Sequence, residues 1–258
     1  MSGHIVELHS YPVKGLSAVS HERVDLRAGQ GFPGDREFGL AKASSGFDPA
    51  NPTPLPKSNF LALYGYEALA SLETRFDPET RVLVVRGQET GEQRFALADE
   101  AEQARASAFF AELLALSDAD RPQFATAHPH RFTDVSVTSE QMMHAISLVN
   151  LASVAALAER VGTPIDVARF RANIVVDGWP PFAELEHVGQ RITLGDTTFT
   201  VLQRTRRCPA TQVNPATAER DLNVPALIKA HFGHVDMGVY IEASASGTLH
   251  CDDPAVLG

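Results

Sequence analysis

The chain has only two cysteines, Cys208 and Cys251, in 258 residues. That scarcity excludes a four-cysteine zinc site and leaves too few ligands for an intrinsic iron–sulfur cluster. One disulfide is arithmetically open, but in a reducing compartment both residues are expected as free thiols. No apolar run approaches the length of a membrane-spanning helix, and Met1-Ser2-Gly3-His4-Ile5 lacks the basic start and apolar core of a secretory signal. Positive charge is the minority sign, 22 Lys and Arg against 32 Asp and Glu, a formal net charge of −10. This balance argues against broad binding to nucleic-acid polymers or anionic membranes. There is no Walker loop, internal repeat, heptad array or low-complexity tract. Gly29, Gly31 and Gly34 have the spacing of a dinucleotide fingerprint, but a strand pattern follows them where a helix N-terminus would have to cradle pyrophosphate, so the match reads as a turn. What remains is a cytoplasmic enzyme or binding protein with enough apolar residues, 44%, for a substantial core.

Against this acidic background, Arg204-Thr205-Arg206-Arg207-Cys208-Pro209 concentrates three arginines beside one thiol. Nearby positive charge favours the thiolate, the form that attacks electrophiles and binds soft metals. Guanidinium groups also meet phosphate oxygens in a bidentate fork. The loop therefore reads as a soft ligand beside an anion clamp, or as an exposed basic turn with an incidental cysteine. Lys14, Arg36, Arg169 and Arg171 lie near turns elsewhere and, with Arg207, could surround one polyanionic ligand, although spacing alone does not bring them together. His128-Pro129-His130 and the pair His231 and His234 each lack a third nearby metal ligand and read as solvated. Asp252-Asp253 reads as a turn, and Cys251, without cationic neighbours, as structural.

The pattern of elements is strand-rich. Strands are expected at residues 5–8, 19–26 and 36–43, followed by an irregular surface excursion over 44–58 with many prolines and glycines. Residues 81–85 and 94–97 read as a hairpin through Glu89-Thr90-Gly91, and Asp99 as the N-cap of a helix to about Leu116. Residues 117–133 are the candidate linker. Ser147 is the expected cap of a helix through Arg160, closed by Gly162. Residues 173–177 read as a buried strand. A type II′ hairpin turns at Gly195-Asp196 and delivers the chain to Cys208, and residues 238–242 and 248–250 read as a last pair joined through Ser246-Gly247. Many strands and few helices without regular alternation predict a β-barrel-rich α+β protein.

Three stretches resemble a known family. Residues 169–178 (RFRANIVVDG), 188–195 (VGQRITLG) and 207–217 (RCPATQVNPAT) are similar to a MOSC domain, the molybdenum-cofactor sulfurase C-terminal type. Tyr11-Pro12-Val13-Lys14-Gly15 and Gly34-Asp35-Arg36-Glu37-Phe38 resemble the N-terminal β-barrel module that accompanies it. The resemblance implies a MOSC fold with a few packed helices, divided into an N-terminal module at 1–120 and a MOSC domain at 121–258, the two packed together. Within the family the likeness is to the amidoxime-reducing components. It implies that Cys208 ligates molybdenum and is the catalytic residue. It also implies that Lys14, Arg36, Ser147, Arg171, Asn173, Arg207 and Tyr240 contact the molybdenum cofactor, Asn173 being equally open to a structural role. Pyridoxal phosphate binding is associated with the family label only and is read onto no residue. Gly15 stands where relatives often carry serine. Ala218 and Asp252 replace glycines, which alters turns rather than chemistry.

The implied function is reduction of N-hydroxylated compounds such as hydroxylamines, amidoximes and N-hydroxylated bases. Electrons would arrive from a separate electron-transfer protein, ferredoxin-like or a reductase, as the cysteine count also requires. The alternatives are a carrier of molybdenum cofactor or of persulfide sulfur on Cys208, and a binding module for another phosphorylated small molecule.

Overall fold

The computed structural model describes residues 1–87, 90–126 and 130–258. Its strands and helices run in the order β1 (Ser2–Ser10), β2 (Val19–His21), β3 (Arg23–Leu26), β4 (Phe38–Ala41), β5 (Glu73–Asp77), β6 (Val82–Gly87), β7 (Gly91–Ala96) and α1 (Glu100–Leu113). Then come β8 (Gln123–Thr126), α2 (Glu140–Met143), β9 (Ile146–Asn150), α3 (Leu151–Val161), β10 (Ile174–Asp177), β11 (Arg191–Leu194) and β12 (Thr197–Arg206). The chain ends with α4 (Val224–Phe232), β13 (Asp236–Ala243), β14 (Gly247–His250) and β15 (Pro254–Leu257).

Seven strands close into a barrel in the order β10-β9-β13-β12-β11-β15-β1, and β1 returns to β10. Closure removes the unpaired edges an open sheet would expose. All neighbours are antiparallel except β9 and β10, whose parallel pairing requires a crossover, supplied here by α3. Ile5, Leu8, Leu148, Ile174, Phe199 and Ile241 fill the interior. The only tryptophan, Trp179, is buried against them and donates its indole N–H to the Ala255 carbonyl at 2.9 Å. Gly238 is obligatory: its φ is +77°, and a Cβ there would lie 2.2 Å from the Leu148 carbonyl oxygen where β13 crosses β9.

The N-terminal half packs a second core beside the barrel, around Phe38, Phe76, Phe95, Phe110 and Phe124. It comprises the β5-β6-β7 meander, the β4–β8 pair and α1. Asp99 caps α1 as expected, accepting from the Ala101 N–H at 2.7 Å. The expected 81–97 hairpin forms as β6 and β7, although Glu89 of its turn lies outside the described residues. The Gly195 hairpin forms with φ +55° at Gly195 and no positive φ at Asp196, the signature of type II′.

Four expectations are corrected. The run 19–26 is two strands, because β2 pairs with β1 and β3 turns away to pair with β14. That pairing also takes β14 from β13, so residues 238–250 are not a hairpin. Residues 117–133 are not a free linker: β8 pairs with β4, and Phe124, Ala125 and Phe132 are buried, while Ala127, His128 and Pro129 lie outside the described residues. Ser147 does not cap a helix. It sits inside β9, and Asn150 caps α3 by accepting from Ala152 N–H. All five residues of β9 are buried, and such a short apolar run before a helix does not reveal by periodicity where strand gives way to helix.

Candidate functional site

A cavity of about 850 Å³ lies between the barrel's outer face and the N-terminal half. Strand alternation explains its floor. Leu148 and Val239 point into the barrel core, so Ser147 and Tyr240, one residue along, point outward. Gln203, Tyr240 and Ser147 lie in register across β12, β13 and β9, and all three line the cavity. The opposite wall is built by Lys14, Arg36, Lys57 and residues 62–64.

Lys14, Arg36, Ser147, Arg171, Asn173, Arg207, Cys208 and Tyr240 all reach this one cavity. Among the described residues it is lined by nine lysines and arginines against three aspartates, although the whole chain is acidic. A concave surface with such an excess attracts anions by its summed field.

The cations differ in how their charge is balanced. Arg36 donates to Asp35 at 2.5 Å and to the Arg171 carbonyl at 3.2 Å. Burial works against its charge, but Asp35 more than offsets this and holds its pKa above the ordinary arginine value. Arg171 has no carboxylate partner among the described residues. Its guanidinium lies 4.2 Å from the Tyr11 ring centre, with Arg36 at 4.8 Å from the same ring. One terminal nitrogen of Arg171 is buried with no hydrogen-bond partner, and burial pushes its pKa down to about 10. Both arginines have left-handed backbones, φ +50° and +51°, a strained conformation of the kind that concentrates at functional sites. Arg207 donates to the carbonyls of Met237 (2.8 Å) and Phe170 (2.8 Å), and burial depresses its pKa.

Lys14 is buried, donates to the Phe132 carbonyl at 2.9 Å and pairs with Asp134. Burial pulls its pKa down, and Asp134 only partly counters this. Asp134 also faces Lys57 at 3.6 Å. Burial opposes its charge, yet Lys14, Lys57 and Arg36 hold its carboxyl well below the usual range. Tyr240 is pushed up, first by burial and then by Asp134, and stays a neutral phenol at physiological pH.

Cys208 is a half-buried free thiol at the start of the turn Pro209–Gln212, with its carbonyl accepting from Thr211 N–H at 3.1 Å and Thr211 Oγ1 at 2.9 Å. Arg169, ion-paired to Asp221 at 2.7 Å, donates to the Gln212 carbonyl at 3.1 Å and so fixes this loop from below. The neighbouring arginines are spent elsewhere: Arg204 bonds the Leu185 carbonyl and Glu186, and Arg206 is exposed. Lys57, from the stretch that reads in sequence as a surface excursion, lines the same cavity as Cys208. Lys57, Asp134 and Tyr64 line the cavity and buried Tyr11 packs against Arg36 and Arg171, and sequence reasoning missed all four. Only Tyr11 carried a signal, its place in the Tyr11-Pro12-Val13-Lys14 motif.

Asn173 and Ser147 use their polar groups on each other. Asn173 Oδ1 accepts from Ser147 N–H at 3.0 Å and Ser147 Oγ at 2.8 Å, while Asn173 Nδ2 donates to the His9 carbonyl at 3.1 Å. They stitch β9, β10 and β1 together at the cavity floor. No cluster of three or more His, Cys, Asp or Glu able to hold a metal occurs among the described residues. His231 and His234 flank the end of α4, His234 stacking on Phe232.

The family model of the MOSC domain matches residues 127–256, half of the chain. The chain belongs to the MOSC domain family. The MOSC N-terminal beta barrel domain matches residues 2–127. Among curated proteins, the chain is similar to molybdenum cofactor sulfurases: 34% identical over 101 residues to that of Caenorhabditis briggsae and 36% over 102 residues to that of Drosophila mojavensis. These matches cover 38% and 39% of this chain but only 14% and 13% of the relatives. Among solved structures, the YuaD protein of Bacillus subtilis matches 100% of this chain and 98% of its own at 15% identity and a TM-score of 0.48. YiiM of Geobacillus stearothermophilus matches 44% of this chain and 53% of its own at 21% identity and a TM-score of 0.34. No helix among the described residues of this MOSC protein is long and apolar enough to cross a membrane.

Proposed function

We propose that this MOSC protein holds a molybdenum cofactor in the cationic cavity and reduces N-hydroxylated compounds with electrons from a separate protein. The observation that carries the reading is one cavity lined both by a thiol, Cys208, and by Arg171, one of whose guanidinium nitrogens is buried without a partner. A buried donor without a partner is costly, and a ligand phosphate would satisfy it. The donor set fits the group: one soft sulfur for the metal, and Arg171, Arg36, Lys14 and Arg207 for the phosphate and pterin. Ser147 and Asn173 then act by fixing the floor, since their polar atoms are already paired.

A molybdenum centre held there would supply two-electron reduction and removal of oxygen from nitrogen. The chain's own residues do the rest. Arg171 and Arg36 neutralise the phosphate charge, Asp134 favours the charged forms of Lys14 and Lys57 and holds them in place, and the Pro209–Gln212 turn sets the direction of the thiol. Reduction of an N-hydroxyl group consumes two electrons and two protons and releases water. With two cysteines the chain has too few ligands for a cluster to deliver those electrons, which supports an external ferredoxin-like or reductase donor.

Metal and pterin analysis, combined with benzamidoxime reduction by an artificial electron donor, tests this reading. The expected result is about one molybdenum per chain and turnover that Cys208→Ser abolishes together with metal retention. Molybdenum-loaded protein without reductase activity overturns it.

The similarity to molybdenum cofactor sulfurases favours a second reading, a carrier of cofactor or of persulfide sulfur on Cys208. Mass spectrometry of freshly isolated protein separates the two, because a reducible adduct of one sulfur atom on Cys208 belongs to the carrier alone.

A further inference from the structure

We propose that Tyr64 forms the aromatic wall of a substrate subsite at the cavity mouth and selects planar aromatic substrates that are neutral or anionic. This inference rests on the reductase reading above for the chemistry, but not for the binding.

Among the described residues five large hydrophobic side chains are exposed, Met1, Tyr64, Val137, Val188 and Val256. Of these, Tyr64 alone lines the cavity, and it alone is aromatic. The residue is 46% exposed, while its backbone carbonyl is tethered. Arg220, from the loop after Cys208, donates to the Tyr64 carbonyl at 3.1 Å, the Leu63 carbonyl at 2.8 Å and the Pro209 carbonyl at 3.0 Å. The same guanidinium therefore ties the tyrosine segment to the residue that follows Cys208. Lys57 lines the same cavity, with its ammonium 5.9 Å from the Tyr64 ring centre. A compound whose reacting oxygen approaches the Cys208 side of the cavity thus places its body beside the ring. A tyrosine on a tethered backbone offers a π face at little entropic cost, having only two side-chain torsions. The nine lining cations, against three carboxylates, repel a cationic substrate.

The test compares benzamidoxime with acetamidoxime, which has the same reacting group and no ring. Binding is read by saturation-transfer NMR on the isolated protein, and turnover by KM and kcat with an artificial donor. Tyr64→Ala is expected to remove saturation transfer to the benzamidoxime ring and raise its KM about three- to tenfold, with kcat and the acetamidoxime KM unchanged. Tyr64→Phe is expected to behave as the parent, and equal melting temperatures for all three chains exclude a folding effect. Equal KM changes for both amidoximes, no change with either, or no ring saturation in the parent protein overturns the subsite. Tyr64-dependent ring binding without turnover leaves the subsite standing and sinks the reductase reading. Turnover indifferent to Tyr64 does the reverse.

Discussion

Three left-handed residues separate function from accident. Arg36, Arg171 and Ala218 have φ of +50°, +51° and +58°. An L-residue in this region carries about 1–2 kcal/mol of steric cost. For the two arginines the conformation accompanies a guanidinium placed near the Tyr11 ring and lining the cavity, so the strain has a use. Ala218 is half-buried and does not line the cavity; its backbone N–H closes a turn onto the Asn214 carbonyl at 2.8 Å. Ala218→Gly should therefore stabilise the protein by about 0.5–1 kcal/mol, the relieved strain less the added freedom of the unfolded chain. A denaturant midpoint shifted upward with unchanged slope is the expected reading, and a downward shift would show that the alanine methyl packs. Asp134 makes a prediction in the acid range. Its folded pKa lies below the unfolded value of about 3.9, so its contribution is complete above that value and is lost as pH falls through the folded pKa. Asp134→Asn should cost about 1–3 kcal/mol at neutral pH, because Lys14 is left buried without its counter-charge. Its side chain is 41% exposed to the cavity, which keeps the figure at the lower end. Melting curves of the two proteins should converge as the pH drops below the ordinary carboxylate range, and a constant gap down to pH 2 would contradict the assignment.

At the scale of elements, the floor of the cavity depends on one side chain. Asn173 joins β9 and the entry to β10 with β1 through three hydrogen bonds, all within the buried seam. Asn173→Ala strands the Ser147 N–H and the His9 carbonyl, and should destabilise by about 2–4 kcal/mol. Thermal unfolding measures this directly, and a loss below 1 kcal/mol would return Asn173 to the role of a ligand contact. This seam also shows what the sequence could and could not convey. Asp99, Gly162 and the Gly195 turn were legible because a cap, a left-handed C-cap and a tight turn are local chemistry. The Val19–Leu26 split was not, because the two halves pair with strands from opposite ends of the chain. Ser147 was misplaced because an all-buried strand running straight into a helix hides its boundary. The same distinction holds for the site. Cys208 and its arginines are adjacent in sequence, and the Arg169-x-Arg171-x-Asn173 and Tyr11-x-x-Lys14 motifs could be read from the resemblance. Lys57 and Asp134 lie in stretches with no motif, and only folding brings them to the cavity and to Lys14. Two of the three arginines that first marked the loop turn out to serve other partners or solvent.

At the scale of the molecule, the two family models meet at residue 127, but the fold does not divide there. The strand β1, from the first ten residues, sits between β15 and β10, near the end and the middle of the chain. Ile5 and Leu8 of β1 are fully buried in the barrel core among residues of the second half. Residues 127–258 alone would therefore form a barrel missing one stave. Two strand edges would face solvent, and each lost apolar side chain would forfeit about 2–5 kcal/mol of packing. That loss is comparable to the stability of a whole domain of this size, about 5–15 kcal/mol. The expected outcome is that residues 127–258 expressed alone show no cooperative thermal transition and bind a dye for exposed apolar surface. Co-expression with residues 1–126 should restore the transition, since the missing strand and the cavity wall of Lys14, Arg36, Lys57 and Tyr64 are supplied together. A folded, cooperatively melting second half would mean that β1 is an ornament on the barrel. The cavity would then be a groove that the first half merely covers, and not a site the two halves build jointly.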